Sequence, residues 1–242
     1  MKKYLFIIYV ISSMSAVNGQ EIPSIGMKDE FNIISKFTRT QSGFEGIQTY
    51  SSGEVRGSQF FYPTWAPGSI NTGYKISSDK YLFLFDKVRQ QVFIKVKDSN
   101  LVLLADRNQI ISFTLNTDRQ HVFVAAANYA PDKKDQFYEV LAINESGYTL
   151  LKQVKTKFAK ADTRDMEKMK MGDMSDEFKD EISYFVSYKN GLVQKVDLRE
   201  KSIKKAYGSS SKNILEEYFK THSDASVDER FLIDFTRALN KG

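Results

Sequence analysis

The chain has 242 residues, 41% hydrophobic and 27% charged, a balance that suits a folded domain with a real core and excludes a disordered polar chain. It contains no cysteine, which excludes thiol nucleophiles, thiolate metal sites and lipid attachment at an N-terminal cysteine. The formal charge of +5 is modest, and no basic run interleaves with stacking aromatics, so nothing points to nucleic acid.

The first element is residues 1–19. Lys2 and Lys3 make a positive start, Tyr4 to Ile11 is an apolar run, and Ser12 to Gly19 is small and polar. That order is expected of a secretory signal peptide, with Val17 and Gly19 suiting cleavage before Gln20. The run is shorter than the roughly 20 apolar residues needed to span a bilayer. Removal of Lys2 and Lys3 leaves 33 cationic against 30 acidic side chains, or +3. The expectation is an exported chain, periplasmic or extracellular, not a lipoprotein, with no transmembrane span after cleavage.

Residues 20–58 form an N-terminal extension of loops or short strands. Phe31 to Ile34 begins a short helix or strand, and Gly43, Gly46, Gly53 and Gly57 punctuate the polar stretch after it. Residues 59–207 form a β-rich core. Tyr81 to Phe85 is an apolar run of strand length, and Val92, Ile94 and Val96 alternate with Phe93, Lys95 and Lys97. Asp98-Ser99-Asn100 is a turn. Strands then occupy Leu101–Leu104, Ile110–Leu115, His121–Val124, Tyr138–Ile143 and Tyr148–Lys152, with a turn at Asn144 to Gly147. Residues 155–181 are dense in charge of both signs and carry Met166, Met169, Met171 and Met174. They read as a solvated loop or frayed helix, or as a partner-binding arm whose methionines adapt to an irregular surface. Tyr184–Tyr188 and Leu192–Leu198 flank Asn190-Gly191, a dipeptide suited to a two-residue type I′ hairpin turn.

Residues 208–242 read as two helices. Ile214, Leu215, Tyr218 and Phe219 share one face, with His222 at the C-terminal end. The second carries Val227, Phe231, Phe235, Ala238 and Leu239, with Ser226-x-x-Glu229 as a capping box. The fold class is mainly β (α+β): an antiparallel meander forming a barrel- or sandwich-like sheet, closed by two C-terminal helices.

Few residues offer chemistry. The only histidines, His121 and His222, lack metal-like spacing to other ligands. Ser209-x-x-Lys212 matches a Ser/Lys acylase pattern without its companion elements, and helix capping by Ser210 or Ser211 explains the serines better. Nucleophile elbow, phosphate loop, dinucleotide fingerprint and EF-hand are all absent. Asp79, Asp86, Asp98, Asp106 and Asp118 lie near strand ends, where turn chemistry accounts for them; two converging in a cleft would suit glycoside hydrolysis. Trp65, the only tryptophan, sits in Tyr62-Pro63-Thr64-Trp65-Ala66-Pro67-Gly68, a stiff segment that either plugs the mouth of the barrel or presents an aromatic platform for a sugar or peptide. Gly68 there permits a tight turn.

Several stretches occur in a familiar order: Gly57 to Phe61, Trp65-x-x-Gly68, Leu84 to Gln91, Ile110 to Leu115, Phe137 to Leu141, Leu150 to Lys152, Asp176 to Phe178, Tyr184-Phe185 and Lys201 to Lys205. The order resembles a family of exported envelope proteins of Gram-negative bacteria with no assigned activity, over roughly Gly57 to Leu239. The resemblance implies export and one continuous domain, and carries over no catalytic residue.

The functional expectation is an exported non-enzymatic envelope protein: a β-rich binding or structural module for a protein partner or glycan, needing no cofactor and no metal. Tyr62, Trp65, Met166, Met169 and Met171 are the expected binding surface. The alternatives are a carboxylate-based hydrolase of envelope polysaccharide and a carrier of a small apolar ligand.

Overall fold

The alternating apolar pattern becomes two sheets in the computed structural model of the chain, which describes residues 34–40, 55–77, 79–161, 166, 175–189, 191–208 and 211–241. The strands are β1 (Thr38–Thr40), β2 (Val55–Arg56), β3 (Gly68–Asn71), β4 (Lys75–Ser77), β5 (Tyr81–Asp86), β6 (Gln91–Val96), β7 (Val102–Ala105), β8 (Ser112–Asn116), β9 (Gln120–Ala125), β10 (Phe137–Ala142), β11 (Tyr148–Ala159), β12 (Asp176–Tyr188) and β13 (Gln194–Val196). Residues 34–37 are helical, and toward the C-terminus lie three helices, α1 (Glu200–Tyr207), α2 (Lys212–Thr221) and α3 (Glu229–Leu239). The smaller sheet has the order β1-β7-β6-β5; the larger runs β13-β12-β11-β10-β9-β8-β3-β4, with β2 paired to β12. Every pairing is antiparallel except β2 with β12. The arrangement is a sandwich with helices at its C-terminal end, not a closed barrel. No helix among the described residues is long and apolar enough to cross a membrane.

One face of the larger sheet carries two apolar cores side by side. At the β3–β4 end, Ile70, Phe113, Leu115, Phe123 and Phe137 meet Phe83, Phe85, Ile94 and Leu103 of the smaller sheet. Phe113 and Phe123 stack at 4.6 Å, and Phe137 meets Phe113 edge-on at 5.1 Å. At the other end, Leu141, Leu150, Tyr184, Val186 and Val196 are covered by Ile203, Leu215, Phe231, Leu232 and Phe235 of the helices. β10 contributes to both, Phe137 to the first core and Leu141 to the second, so the two cores meet along this strand.

The outer face of the smaller sheet carries Leu84, Phe93, Val102 and Leu104, and Phe60 and Trp65 cover them. The segment from Phe60 to Ala66 bridges to β5 at its two ends, Phe60 opposite Asp86 and Ala66 opposite Phe83, and the chain then reaches the larger sheet at Pro67. Gly68 is required there for close approach rather than for a turn. A Cβ at Gly68 would lie 2.0 Å from the Thr114 carbonyl oxygen.

The structure departs from the sequence expectations in several places. Residues 155–181 do not begin and end as a loop or frayed helix: β11 and β12 stay paired from Tyr148↔Tyr188 out to Ala159↔Glu177. The charge masks a period-two pattern in which Thr156, Phe158, Phe178 and Asp180 point one way and Lys155, Lys157, Lys179 and Glu181 the other. Part of the 20–58 extension is integral to the fold, since β1 pairs with β7 and Ile34 and Phe37 are core residues. The helical end starts at α1 rather than at residue 208. Its few apolar positions, Ile203 and Tyr207, lie one turn apart among lysines and give little periodic signal.

The Ser226 capping box is replaced by Asp228, whose carboxylate accepts from the Phe231 N–H at 2.8 Å. Asp228 has the extended backbone that an N-cap needs. Ser211 occupies the cap position of α2 without capping it, because its hydroxyl is taken by Tyr148 at 2.7 Å. The β12–β13 pairing, Tyr184↔Val196 to Val186↔Gln194, is one residue off the register of a two-residue Asn190-Gly191 turn, and Lys189 takes a φ of 49°. The expected signal peptide, Met169, Met171, Met174, Ser209 and Ser210 lie outside the described residues.

Candidate functional site

The seam between the two cores holds a cluster of polar side chains around the buried His121 and Glu139. Across the strands, Glu139 lies opposite Lys152, and Lys152 opposite Tyr184. His121 lies two residues before Phe123, which is opposite Glu139. All four side chains therefore share the core-facing side of the sheet.

His121 is held from both sides. Its Nδ1 is 2.7 Å from Glu139 Oε1, and its Nε2 is 3.1 Å from Asp118 Oδ1. Both ring nitrogens thus face carboxylate oxygens, which fixes the plane of the ring. Arg119 Nη2 adds a third contact at 3.1 Å, also to Glu139 Oε1. Glu139 is only 3% exposed and His121 8%, so they are a buried pair with Arg119 at the solvent rim. The Phe61 ring covers His121 edge-on at 4.9 Å. Hydrogen bonds from Thr117 and His121 hold the Asp118 carboxyl well below the usual carboxylate range.

A second group continues the seam toward the helices. Lys152 Nζ is 2.7 Å from Glu229 Oε2, and the Tyr184 hydroxyl donates to the same oxygen at 2.8 Å. Burial opposes ionisation of Glu229, but the bonds from Lys152 and Tyr184 outweigh it and hold its carboxyl below the usual value. Burial, with Glu229 alongside, pushes the Tyr184 hydroxyl up.

A third polar group ties the smaller sheet to the β11–β12 ribbon. Lys87 Nζ meets both Asp180 oxygens at 2.7 and 2.9 Å, and Thr156 donates to one of them at 2.5 Å. Gln90 donates to the Lys87 carbonyl at 2.8 Å and to the Val154 carbonyl at 3.3 Å, and accepts from the Phe137 N–H at 3.0 Å. Asp86 shapes this turn by accepting from the Val88 and Arg89 N–H groups at 2.8 and 2.9 Å. Burial pushes its carboxyl up against those bonds.

The expected surface residues fall on separate elements. Trp65 is partly buried on the outer face of the smaller sheet, while Tyr62 three residues earlier is exposed. Met166 is exposed, 63% by area, between the two ribbon strands in the chain. Of the five aspartates near strand ends, Asp86 and Asp106 accept backbone N–H bonds in their turns, and Asp118 bonds His121. Glu139, Lys152, Tyr184, Lys87 and Gln90 do not stand out in the sequence as polar partners. A glutamate or lysine at an inward strand position, between apolar residues two places away, is the available signal.

Among the described residues no group of three His, Asp or Glu is placed to hold a metal ion. No family model, curated protein or solved structure matches the chain.

Proposed function

We propose that the protein is an exported, non-enzymatic envelope protein that binds a protein partner through the β11–β12 ribbon and the arm it carries. One observation carries the proposal: β11 and β12 outrun their neighbours. β10 pairs with β11 only as far as Lys152, and β13 covers β12 only at Tyr184–Val186. Residues 153–159 and 177–183 therefore continue as a two-stranded ribbon, joined only at its far end by β2, and such a ribbon is marginal unless braced. The Lys87–Asp180 contact and the Phe158–Phe178 ring pair at 5.1 Å brace it. Its other face is charged, with Lys155, Lys157, Lys179 and Glu181 exposed, and the methionine-bearing segment continues from its end. Charged edges of this kind resist indiscriminate strand pairing while leaving room for a chosen partner.

Two further points support a binding role over catalysis. The acid–base groups of the seam are spent on one another across a boundary between cores. The space between the sheets is filled by phenylalanine rings, which favours recognition at the surface over carriage of an apolar ligand inside. The exported setting rests on the leader-like start of the chain and on the resemblance to envelope proteins.

The test is crosslinking of the tagged protein in its native envelope, followed by recovery under denaturing conditions. The proposal expects a discrete crosslinked partner that is lost when residues 160–176 are deleted, while the deletion variant keeps its β-sheet circular dichroism. A protein that stays uncrosslinked, or a partner unaffected by the deletion, contradicts it.

A further inference from the structure

The edge of the smaller sheet carries a cleft of about 440 Å³ that the ribbon does not use. β1 and β7 form one wall, with Arg39 opposite Leu104. The 3-10 turn Arg107–Gln109 and the first residue of β6, Gln91, form the rest. Phe37, Leu104 and Ala105 are buried beneath it. Three cations line the cleft, Lys36, Arg39 and Arg107, against one acid, Asp106.

Asp106 does not neutralise them. One of its oxygens accepts from the Asn108 N–H and the other from the Gln109 side-chain amide, each at 3.1 Å. Among the described residues Lys36 and Arg39 have no ion-pair partner. Arg107 spends one Nη1 bond on the Arg89 carbonyl at 3.1 Å, which fixes the guanidinium, and its Nε is buried with no acceptor. A guanidinium fixed in this way keeps further Nη donors unspent and, flanked by these two cations, matches a planar oxyanion. Gln91 and Asn108 add side-chain amides suited to hydroxyls. The volume lies in the range of small-molecule sites.

We propose that this cleft binds an acidic sugar, a uronate or sugar phosphate whose oxyanion sits among Lys36, Arg39 and Arg107 while its hydroxyls meet Gln91 and Asn108. The site lies on the smaller sheet and stands whether or not the ribbon binds a partner.

Isothermal titration of the purified protein with glucuronate, glucose 6-phosphate, inorganic phosphate and glucose tests it. Glucuronate or glucose 6-phosphate is expected to bind saturably, and glucose not to. The K36Q/R39Q variant, altered at two exposed side chains, is expected to weaken binding about tenfold or more, as is R107Q. Thermal melting confirms that each variant is folded, and K36Q/R39Q decides the matter should R107Q not fold. Failure of both acids to bind, or equal affinity in K36Q/R39Q, overturns the site. Inorganic phosphate binding as tightly as glucose 6-phosphate overturns the sugar assignment.

Discussion

The His121–Glu139 pair lends itself to a double-mutant cycle. Replacing His121 by Leu keeps most of the side-chain volume but leaves Glu139, 3% exposed, with Arg119 as its remaining ionic partner. Stranding a buried charge costs about 3–5 kcal/mol, and the surviving Arg119 contact places H121L near the lower end. Glu139→Met leaves one nitrogen of a buried ring unmet, at about 1–3 kcal/mol. The double variant H121L/E139M removes both halves and buries apolar groups in their place. It is expected to be more stable than the sum of the singles by about 1.5–3 kcal/mol, because the cost in each single is mostly that of the abandoned partner. In a protein of this size, about 3 kcal/mol corresponds to a fall in Tm of about 6–12 °C. Urea denaturation at neutral pH, with Tm from calorimetry, gives all four corners of the cycle. Singles within about 0.5 kcal/mol of the parent, or strict additivity, would refute the view that this pair joins the two cores.

Gly68→Ala drives a Cβ to 2.0 Å from a backbone carbonyl oxygen, and a loss of about 3 kcal/mol is expected by urea denaturation. Gly73→Ala carries only the strain of its φ of +91° with nothing within 4 Å, so it should cost about 1–2 kcal/mol. Phe113→Ala in one core and Leu232→Ala in the other should each cost about 3–5 kcal/mol and shift one shared transition, since β10 runs through both cores within one continuous sheet; two separate calorimetric transitions would contradict that coupling. Glu229 and Asp228 have carboxyls held below their usual values, so the stability they add is present above those values. It is lost as pH falls through the depressed folded values, and a plot of unfolding free energy against pH should be shallower below pH 4.5 for E229Q than for the parent.

The strands with alternating or continuous apolar residues were legible, as was the turn at Asn144, whose side chain accepts from the Ser146 N–H. The hidden features share a cause. The outer ribbon looked like solvated charge because the inward face of each strand pairs one phenylalanine with a polar residue, Thr156 or Asp180, and each run is short. Helix α1 offered two buried residues in eight. The N-cap and hairpin differences arise from competition between neighbours: Asp228 displaces Ser226, and strand register displaces a favoured turn dipeptide. The polar seam and the basic cleft are products of tertiary assembly. Glu139 comes from β10, His121 from β9 and Glu229 from α3, and no local pattern signals that they meet.

The partner-binding role is tested most directly by site-specific photocrosslinking in the native envelope. A photoreactive residue at Met166 is compared with one at Tyr74, which is exposed on the distant β3–β4 turn. The proposed role predicts one discrete adduct from position 166 and none from position 74. No adduct from position 166, or the same adducts from both positions, would contradict it.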